Sequence, residues 1–333
     1  MTLLLDLPDI ERLHAEGMVG MADHISAIEA AYRSLGEGGA QVMPRFNMLV
    51  DPRAESPKSK SLRVGGATLP AAGMMGSALY SAGFLAGQIE LWVVLYSTET
   101  GQLAGLVRGQ PVSLWKTGAT AAVATRYLAR ADAAVVGMIG TGAYARTQLL
   151  GLAAVRRLTE VRCFSRRPDA RDAFVAWAVG MLPGVGIRAA GSAREAAEGA
   201  DILVTVTTSR EPVLRGEWIG AGAHCNAVGA HYPQMREVDT EAVRRSRVIV
   251  DDMEQAMQEK GEILIPLREG AITREHILGD LGAVVAGRLA GRTSEDQRTL
   301  FCSGGVPIEY LGSCAMLLER ATRAGIGQTL KLV

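Results

Sequence analysis

Along residues 21–36, MADHISAIEAAYRSLG, apolar side chains return at Ile25, Ile28, Tyr32 and Leu35. That spacing is the period of a helix with one buried stripe, and Gly36 supplies a stop. The pattern changes over Ile89–Arg108, where two apolar stretches flank Thr98-Glu99-Thr100-Gly101 and predict a β-hairpin. Residues 116–130, KTGATAAVATRYLAR, are alanine-rich and read as a helix. Beyond them short apolar runs follow at Val135–Ile139, Val161–Phe164, Ile202–Thr207, His224–Val228 and Val248–Asp251. Helical stretches such as Arg146–Val155 and Ala170–Val179 lie between several of them. Strand–helix alternation predicts an α/β protein with a central Rossmann-type, doubly wound parallel sheet. The tail, Pro307–Ala324, reads as a Leu-, Met- and Ala-rich helix that packs back onto an N-terminal α+β unit. The expected organisation is therefore a discontinuous domain, 1–115 with 306–333, around a dinucleotide-binding domain, 116–305. The opening MTLLLDLPDIERLH reads as a short strand, and DPRAESPKSK at 51–60 as an exposed loop.

Composition narrows the function classes. At 333 residues with 48% hydrophobic content the chain can bury the cores of two domains. Lys+Arg and Asp+Glu both number 35, which argues against a general nucleic-acid binder. No apolar run approaches the roughly 18–20 residues of a membrane helix. The first residues lack a basic segment and are broken by Asp6, so no signal peptide is expected. Cys163, Cys225, Cys302 and Cys314 are scattered, which argues against a zinc site or disulfide framework. The expected setting is a reducing cytoplasm, with no membrane or nucleic-acid partner and no metal.

The strongest local chemistry lies in VVGMIGTGAYAR, 135–146. Gly140-x-Gly142-x-x-Ala145 is the dinucleotide fingerprint with alanine in third place. The first glycine permits a tight turn, the second admits a pyrophosphate against the backbone, and the small third residue lets helix and strand approach. With Thr141, Ala143 and Tyr144 these residues form a candidate phosphate cradle at a helix N-terminus. The next strand, Val161–Phe164, ends at Ser165-Arg166-Arg167. A carboxylate for a ribose 2′-hydroxyl is absent there, and two guanidinium groups suited to a 2′-phosphate are present. The cofactor expectation is NADP(H) in preference to NAD(H).

Taken together, MPRF at 43–46, TETGQLAGLVRG at 98–109, KTGATAAVATRYLAR, IGTGAYAR, TVTTSREPVL at 205–214, HCNAVGAHYPQMREVD at 224–239, GDLGAVVAGRLAGR at 279–292 and TLFCSGG at 299–305 resemble the ornithine cyclodeaminase/mu-crystallin family over nearly the whole chain. The resemblance implies a homodimer, a discontinuous substrate and dimerisation domain, a nicotinamide cofactor, and an amino, imino or keto acid as substrate. It does not by itself select the reaction.

Carried over residue by residue, Arg45 matches the family's substrate-carboxylate arginine, and Lys116-Thr117 its Arg-Thr pair. Lysine keeps the charge and loses the planar fork. Thr117 is a candidate for cofactor phosphate or substrate, or else a helix cap. Two positions depart from the family. Its lysine in G-x-K-x-Y falls on Ala78 in Gly76-Ser77-Ala78-Leu79-Tyr80, and its acidic residue in A-V-G-x-D-x-P falls on His231. In cyclodeaminases those two groups are associated with water activation and proton transfer. His231 is a candidate proton donor, because an imidazole cycles near neutral pH. Tyr80 is a second donor candidate in the substrate region, or else a packed strand residue. Ser303-Gly304-Gly305 matches a segment near the nicotinamide. Val228, Thr207 and Thr208 stand at strand ends where cofactor contacts collect. His224 reads as structural, and Asp251-Asp252 as a solvated strand end.

Three functions follow. The first is a reductase that delivers hydride from NADPH to a C=N or C=O carbon beside a carboxylate held by Arg45 and Lys116. The second is an ammonia-eliminating lyase of the ornithine cyclodeaminase type. The third is a cofactor-bound ligand-binding protein with little turnover.

Overall fold

The computed structural model describes residues 2–53, 59–85 and 88–331. They divide into two compact units, Met1–Thr117 with Gly305–Val333, and Gly118–Gly304. The chain opens with β1 (Thr2–Leu5), α1 (Leu7–Ala15) and α2 (Met21–Gly36). The expected single strand at the start thus stops at Leu5. Asp6 ends it by capping the next helix: its side chain accepts from Leu7 N, Asp9 reaches back to Asp6 N, and a proline fills the first turn. The predicted helix 21–36 forms over those residues, burying Ile25, Ile28 and Tyr32.

A run of strands follows: β2 (Gln41–Leu49), β3 (Ser61–Leu69), β4 (Met74–Leu85), β5 (Gln88–Ser97) and β6 (Leu103–Arg108). The last two are the predicted hairpin. The middle of the predicted 51–60 loop, residues 54–58, lies outside the described residues. Helix α3 (Gly109–Leu128) begins seven residues before the predicted 116. Pro111 falls in its first turn, where a missing N–H costs nothing.

The second unit contains β7 (Val135–Ile139), α4 (Ala143–Val155), β8 (Glu160–Phe164), α5 (Pro168–Met181), β9 (Gly186–Ala189), α6 (Ala193–Ala197), β10 (Ile202–Thr205) and β11 (His224–Ala227). It continues with α7 (Thr240–Arg244), β12 (Arg247–Val250), α8 (Met253–Glu259), α9 (Gly261–Arg268), β13 (Ile277–Asp280), α10 (Leu281–Val285) and β14 (Thr299–Cys302). Its strands lie in the order β13-β12-β14-β11-β10-β7-β8-β9, with every pairing parallel. The order reverses beside β7, which makes it the doubly wound arrangement, a topology in which ligands collect at the strands' C-terminal ends. Alternate side chains of one strand enter opposite cores. Val136, Met138, Ile202 and Val204 pack under α4 and α5, while Ile139, Leu203, Cys225 and Leu300 pack on the other face. Burial on both faces is why these strands read as continuous apolar runs.

The chain then returns to the first unit through α11 (Pro307–Ala324) and β15 (Gln328–Leu330). That unit's sheet runs β15-β1-β6-β5-β4-β3-β2 and is antiparallel except for the β1–β6 pair. Helix α11 packs on α2 and lies across β3 and β4. Pro307 seats on Gly65, where a Cβ would come within 2.6 Å of its ring. No helix among the described residues is long and apolar enough to cross a membrane.

Candidate functional site

In the second unit the cradle is built where β7 gives way to α4. Gly140 has φ +106°, and a Cβ on it would lie 2.4 Å from Val206 O, so the turn requires glycine on two counts. Gly142 is the N-cap of α4 and carries no capping side chain; a Cβ there would meet nothing within 4 Å. The open notch over Gly142, flanked by exposed Ala143 and Tyr144, therefore faces the positive dipole end of a helix start. Thr141 Oγ1 is buried without a hydrogen-bond partner beside the notch. Ala145 is fully buried against the sheet, as the small third residue must be. These features fit a dinucleotide pyrophosphate. At the end of the neighbouring β8, Ser165 Oγ accepts from Arg167 N at 3.3 Å, and Arg166 and Arg167 are exposed.

The turns after β10, β11 and β14 are tied together from below. Glu237 accepts from Thr207 N at 2.5 Å and Gly229 N at 2.6 Å. Thr207 Oγ1 accepts from Ser209 N, and Thr208 is exposed. Val228 continues the ladder by donating to Thr205 O. His231 is half-buried, with Nδ1 3.1 Å from Gly229 O and its ring tilted on Tyr232 at 4.6 Å. A ring nitrogen facing a carbonyl carries the hydrogen, which leaves Nε2 as the basic nitrogen of the neutral ring. Ser303 is buried and Gly304 N donates to Asp251 at 2.6 Å.

The reading of Asp251-Asp252 as a solvated strand end is corrected here. Asp251 is fully buried and holds the Ser303-Gly304 turn, while Asp252 caps α8. His224 is fully buried between Thr299 and Asn226, and Asn226 in turn donates to Thr125. Burial pushes its pKa down to about 3, so it stays neutral. Among the described residues no group of three or more His, Cys, Asp or Glu could hold a metal ion.

In the first unit, Arg45, Tyr80 and Ala78 meet on one sheet. Arg45 Nη1 donates to Tyr80 Oη at 2.8 Å. Ala78 is buried and pairs with Gly65 and Val93, so a small apolar side chain occupies this position of the strand. Arg63, which the sequence reading did not single out, pairs with Tyr80 across β3–β4, and its guanidinium lies 5.7 Å from the tyrosine ring centre. Lys116 is buried in α3. Its Nζ meets Glu309 at 2.5 Å and lies over the Tyr310 ring. Glu309 also accepts from Tyr32 Oη at 2.6 Å. Thr117 lies inside α3, so the helix-cap alternative is overturned. Glu309 escaped the sequence reading because an acidic residue in the first turn of a helix has an ordinary place there, and Arg63 because nothing local marks its pairing with Tyr80 across the ladder.

The strand order and the cradle define the class first: a Rossmann-type dinucleotide-binding fold joined to a mixed α+β unit. The model of the ornithine cyclodeaminase/mu-crystallin family matches residues 10–325, and the chain belongs to that family. A Δ1-pyrroline-2-carboxylate reductase of Thermococcus litoralis, solved with NADH and L-proline, is 33% identical with a TM-score of 0.89, covering 98% of this chain and 100% of that one. An archaeal alanine dehydrogenase dimer with bound NAD is 30% identical, also at TM-score 0.89, covering 100% and 99%. A Δ1-pyrroline-2-carboxylate reductase of Bacillus cereus is 32% identical over 72% of this chain and 73% of its own length.

Proposed function

We propose that this protein is an NAD(P)H-dependent reductase of imino or keto acids, acting on a C=N or C=O carbon beside a carboxylate. The observation that carries the reading is the open notch at Gly142 behind the positive-φ Gly140, in a chain whose relatives include imine reductases and an amino-acid dehydrogenase. A bound reduced nicotinamide supplies the hydride. Gly140, Thr141, Gly142, Ala143, Tyr144 and Ala145 bind the pyrophosphate, and Thr117, Thr207, Thr208, Val228, Ser303 and Gly304 complete the cofactor contacts. Ser165, Arg166 and Arg167 hold a 2′-phosphate, which favours NADP(H).

Arg45 binds the substrate carboxylate through a two-pronged charge-assisted pair. Tyr80, its oxygen already accepting from Arg45, turns its own hydrogen towards the same substrate. Lys116 adds positive potential, moderated by Glu309. His231 in its protonated form would give a proton from Nε2 to the substrate nitrogen or oxygen. An imine already protonated needs only orientation, which suits a site with Ala78 in place of a lysine.

A homodimer is part of the proposal. Phe46, Met48 and Leu62 are exposed on adjoining strands, Met48 and Leu62 as a direct cross-strand pair, and an apolar sheet surface of that kind needs a cover. Purified protein is mixed with NADPH and a panel of cyclic imines, and of keto acids with amines, and loss of reduced-cofactor absorbance is followed. Turnover supports the reductase. Ammonia release from ornithine or lysine without net cofactor consumption makes it a lyase, and tight NADPH binding without turnover makes it a binding protein.

A further inference from the structure

Lys260 is fully buried in the second unit, at the junction of α8 and α9. Its ammonium donates to Ala230 O at 2.6 Å and Ser303 O at 2.7 Å, and lies 3.6 Å from Glu262 Oε2. The two carbonyls belong to different turns, one after β11 and one after β14. The residues beside it grip the same region. Gly261 presses so closely on the His231 loop that a Cβ would lie 1.9 Å from Met235 O and 3.0 Å from Tyr232 O. Glu262 accepts from Glu237 N at 3.1 Å, and Glu237 accepts from the two backbone N–H groups of Thr207 and Gly229. Asp251 completes the line by holding Gly304 N. Lys260-Gly261-Glu262 is thus a continuous seat under three turns at the C-terminal edge of the parallel sheet.

A buried ammonium is an expensive way to fill space, since a hydrocarbon side chain of the same length packs at less cost. Here its hydrogens meet two carbonyls, a pair that defines where two loops stand relative to each other, and the Glu262 carboxylate lies close enough to balance the charge. Burial works against the charge, and Glu262, with Asp251 and Glu237 at longer range, more than offsets it, so the group stays protonated.

We propose that Lys260 is a positioning residue: it fixes the Ala230–His231 turn against the Ser303–Gly304 turn and so sets where the His231 imidazole and the cofactor-facing backbone stand. This rests on the reading of those turns as reaction-site segments. Lys260 touches neither substrate nor cofactor in this role; it acts through the two turns.

The test compares full-length wild type with Lys260→Met. Hydrogen–deuterium exchange is expected to rise in peptides covering 228–233 and 302–306 and to stay unchanged elsewhere in the sheet. On the cyclic imine that the wild type turns over, kcat is expected to fall about tenfold or more while the imine KM stays within about twofold. Coupled to His231→Ala, the second substitution should cost much less than it does alone. Unchanged exchange in both segments overturns the clamp. Raised exchange with an unchanged kcat, or additive effects with His231→Ala, overturns its role in positioning. If the methionine variant does not fold, Lys260→Gln, which keeps donors without the charge, is read in the same way. A wild type inactive on every imine and keto acid defeats the reductase reading instead, and the exchange measurement still decides the clamp.

Discussion

Arg45 Nη1 donates to Tyr80 Oη at 2.8 Å, and Tyr80 is at the same time paired with Arg63 across the β3–β4 ladder. A phenol held at its oxygen by one guanidinium and along its ring by another has few orientations left. Removing the fork should therefore hurt more than removing the hydroxyl. Arg45→Ala is expected to raise the substrate KM about a hundredfold, because a charge-assisted bidentate pair is worth about 2–3 kcal/mol. Tyr80→Phe should cost about tenfold or less. Steady-state kinetics on the best imine would check both, and equal losses would mean that the arginine is not the dominant anchor.

Arg166 and Arg167 stand exposed at the end of β8, with no carboxylate at the tip of that strand. Replacing both by alanine should lower kcat/KM for NADPH about tenfold or more and leave NADH nearly unchanged, since only the former carries a 2′-phosphate. A wild type that uses NADH better than NADPH would overturn the preference outright.

Half-buried His231 makes a hydrogen bond to Gly229 O through Nδ1, which orients the ring. His231→Ala should lower kcat about tenfold or more. The loss should shrink for substrates that arrive already protonated on nitrogen. An unchanged rate across the imine panel removes this residue from the mechanism.

At Gly140 the backbone has φ +106° and the space for a Cβ is filled by Val206 O. Gly140→Ala is expected to cost about 2 kcal/mol or more of stability through strain and crowding, read as a lower denaturant midpoint, together with weaker dinucleotide binding. Wild-type stability in that variant would mean that the turn is softer than its geometry indicates.

His24 stacks on His14 and Trp115 in the first unit, with Nδ1 3.2 Å from Ser313 Oγ. Burial, with a smaller push from His14, lowers its pKa to about 3. The folded state therefore binds fewer protons than the unfolded one between that value and about 6.5. Its share of stability is fully present above pH 6.5 and is lost as pH falls towards 3. Glu237 has the opposite sign: burial pushes it up to about 7, so its share is present below the ordinary glutamate range and fades as pH rises through 7. Denaturation of wild type, His24→Asn and Glu237→Gln across pH 3–8 should give difference curves that slope in opposite directions. Parallel curves would contradict both assignments.

Much of the architecture was legible in local pattern. The 21–36 helix, the 89–108 hairpin and the strand runs from Val135 onward depend on periodicity and on turn residues, which act over a few positions. The cradle is legible for the same reason: a strand, a glycine turn and a helix start are contiguous. Strands β3 and β4 were not individually legible, because Gly65, Gly66 and Gly76 interrupt their alternation, and β2 carries Pro44 in its middle.

By itself the sequence determined the α/β class, the glycine turn between β7 and α4 and the pair of arginines after β8. Only the tertiary structure decided which charges meet. Lys116 finds Glu309 across 193 positions of chain, Arg45 finds Tyr80 across 35, and Lys260 finds Ser303 across 43. A lysine in QEKGE looks like a solvated helix end until folding takes it out of water. Its cost then depends on which carbonyls and carboxylates surround it, and those partners come from strands that are neighbours in the sheet and distant in the chain.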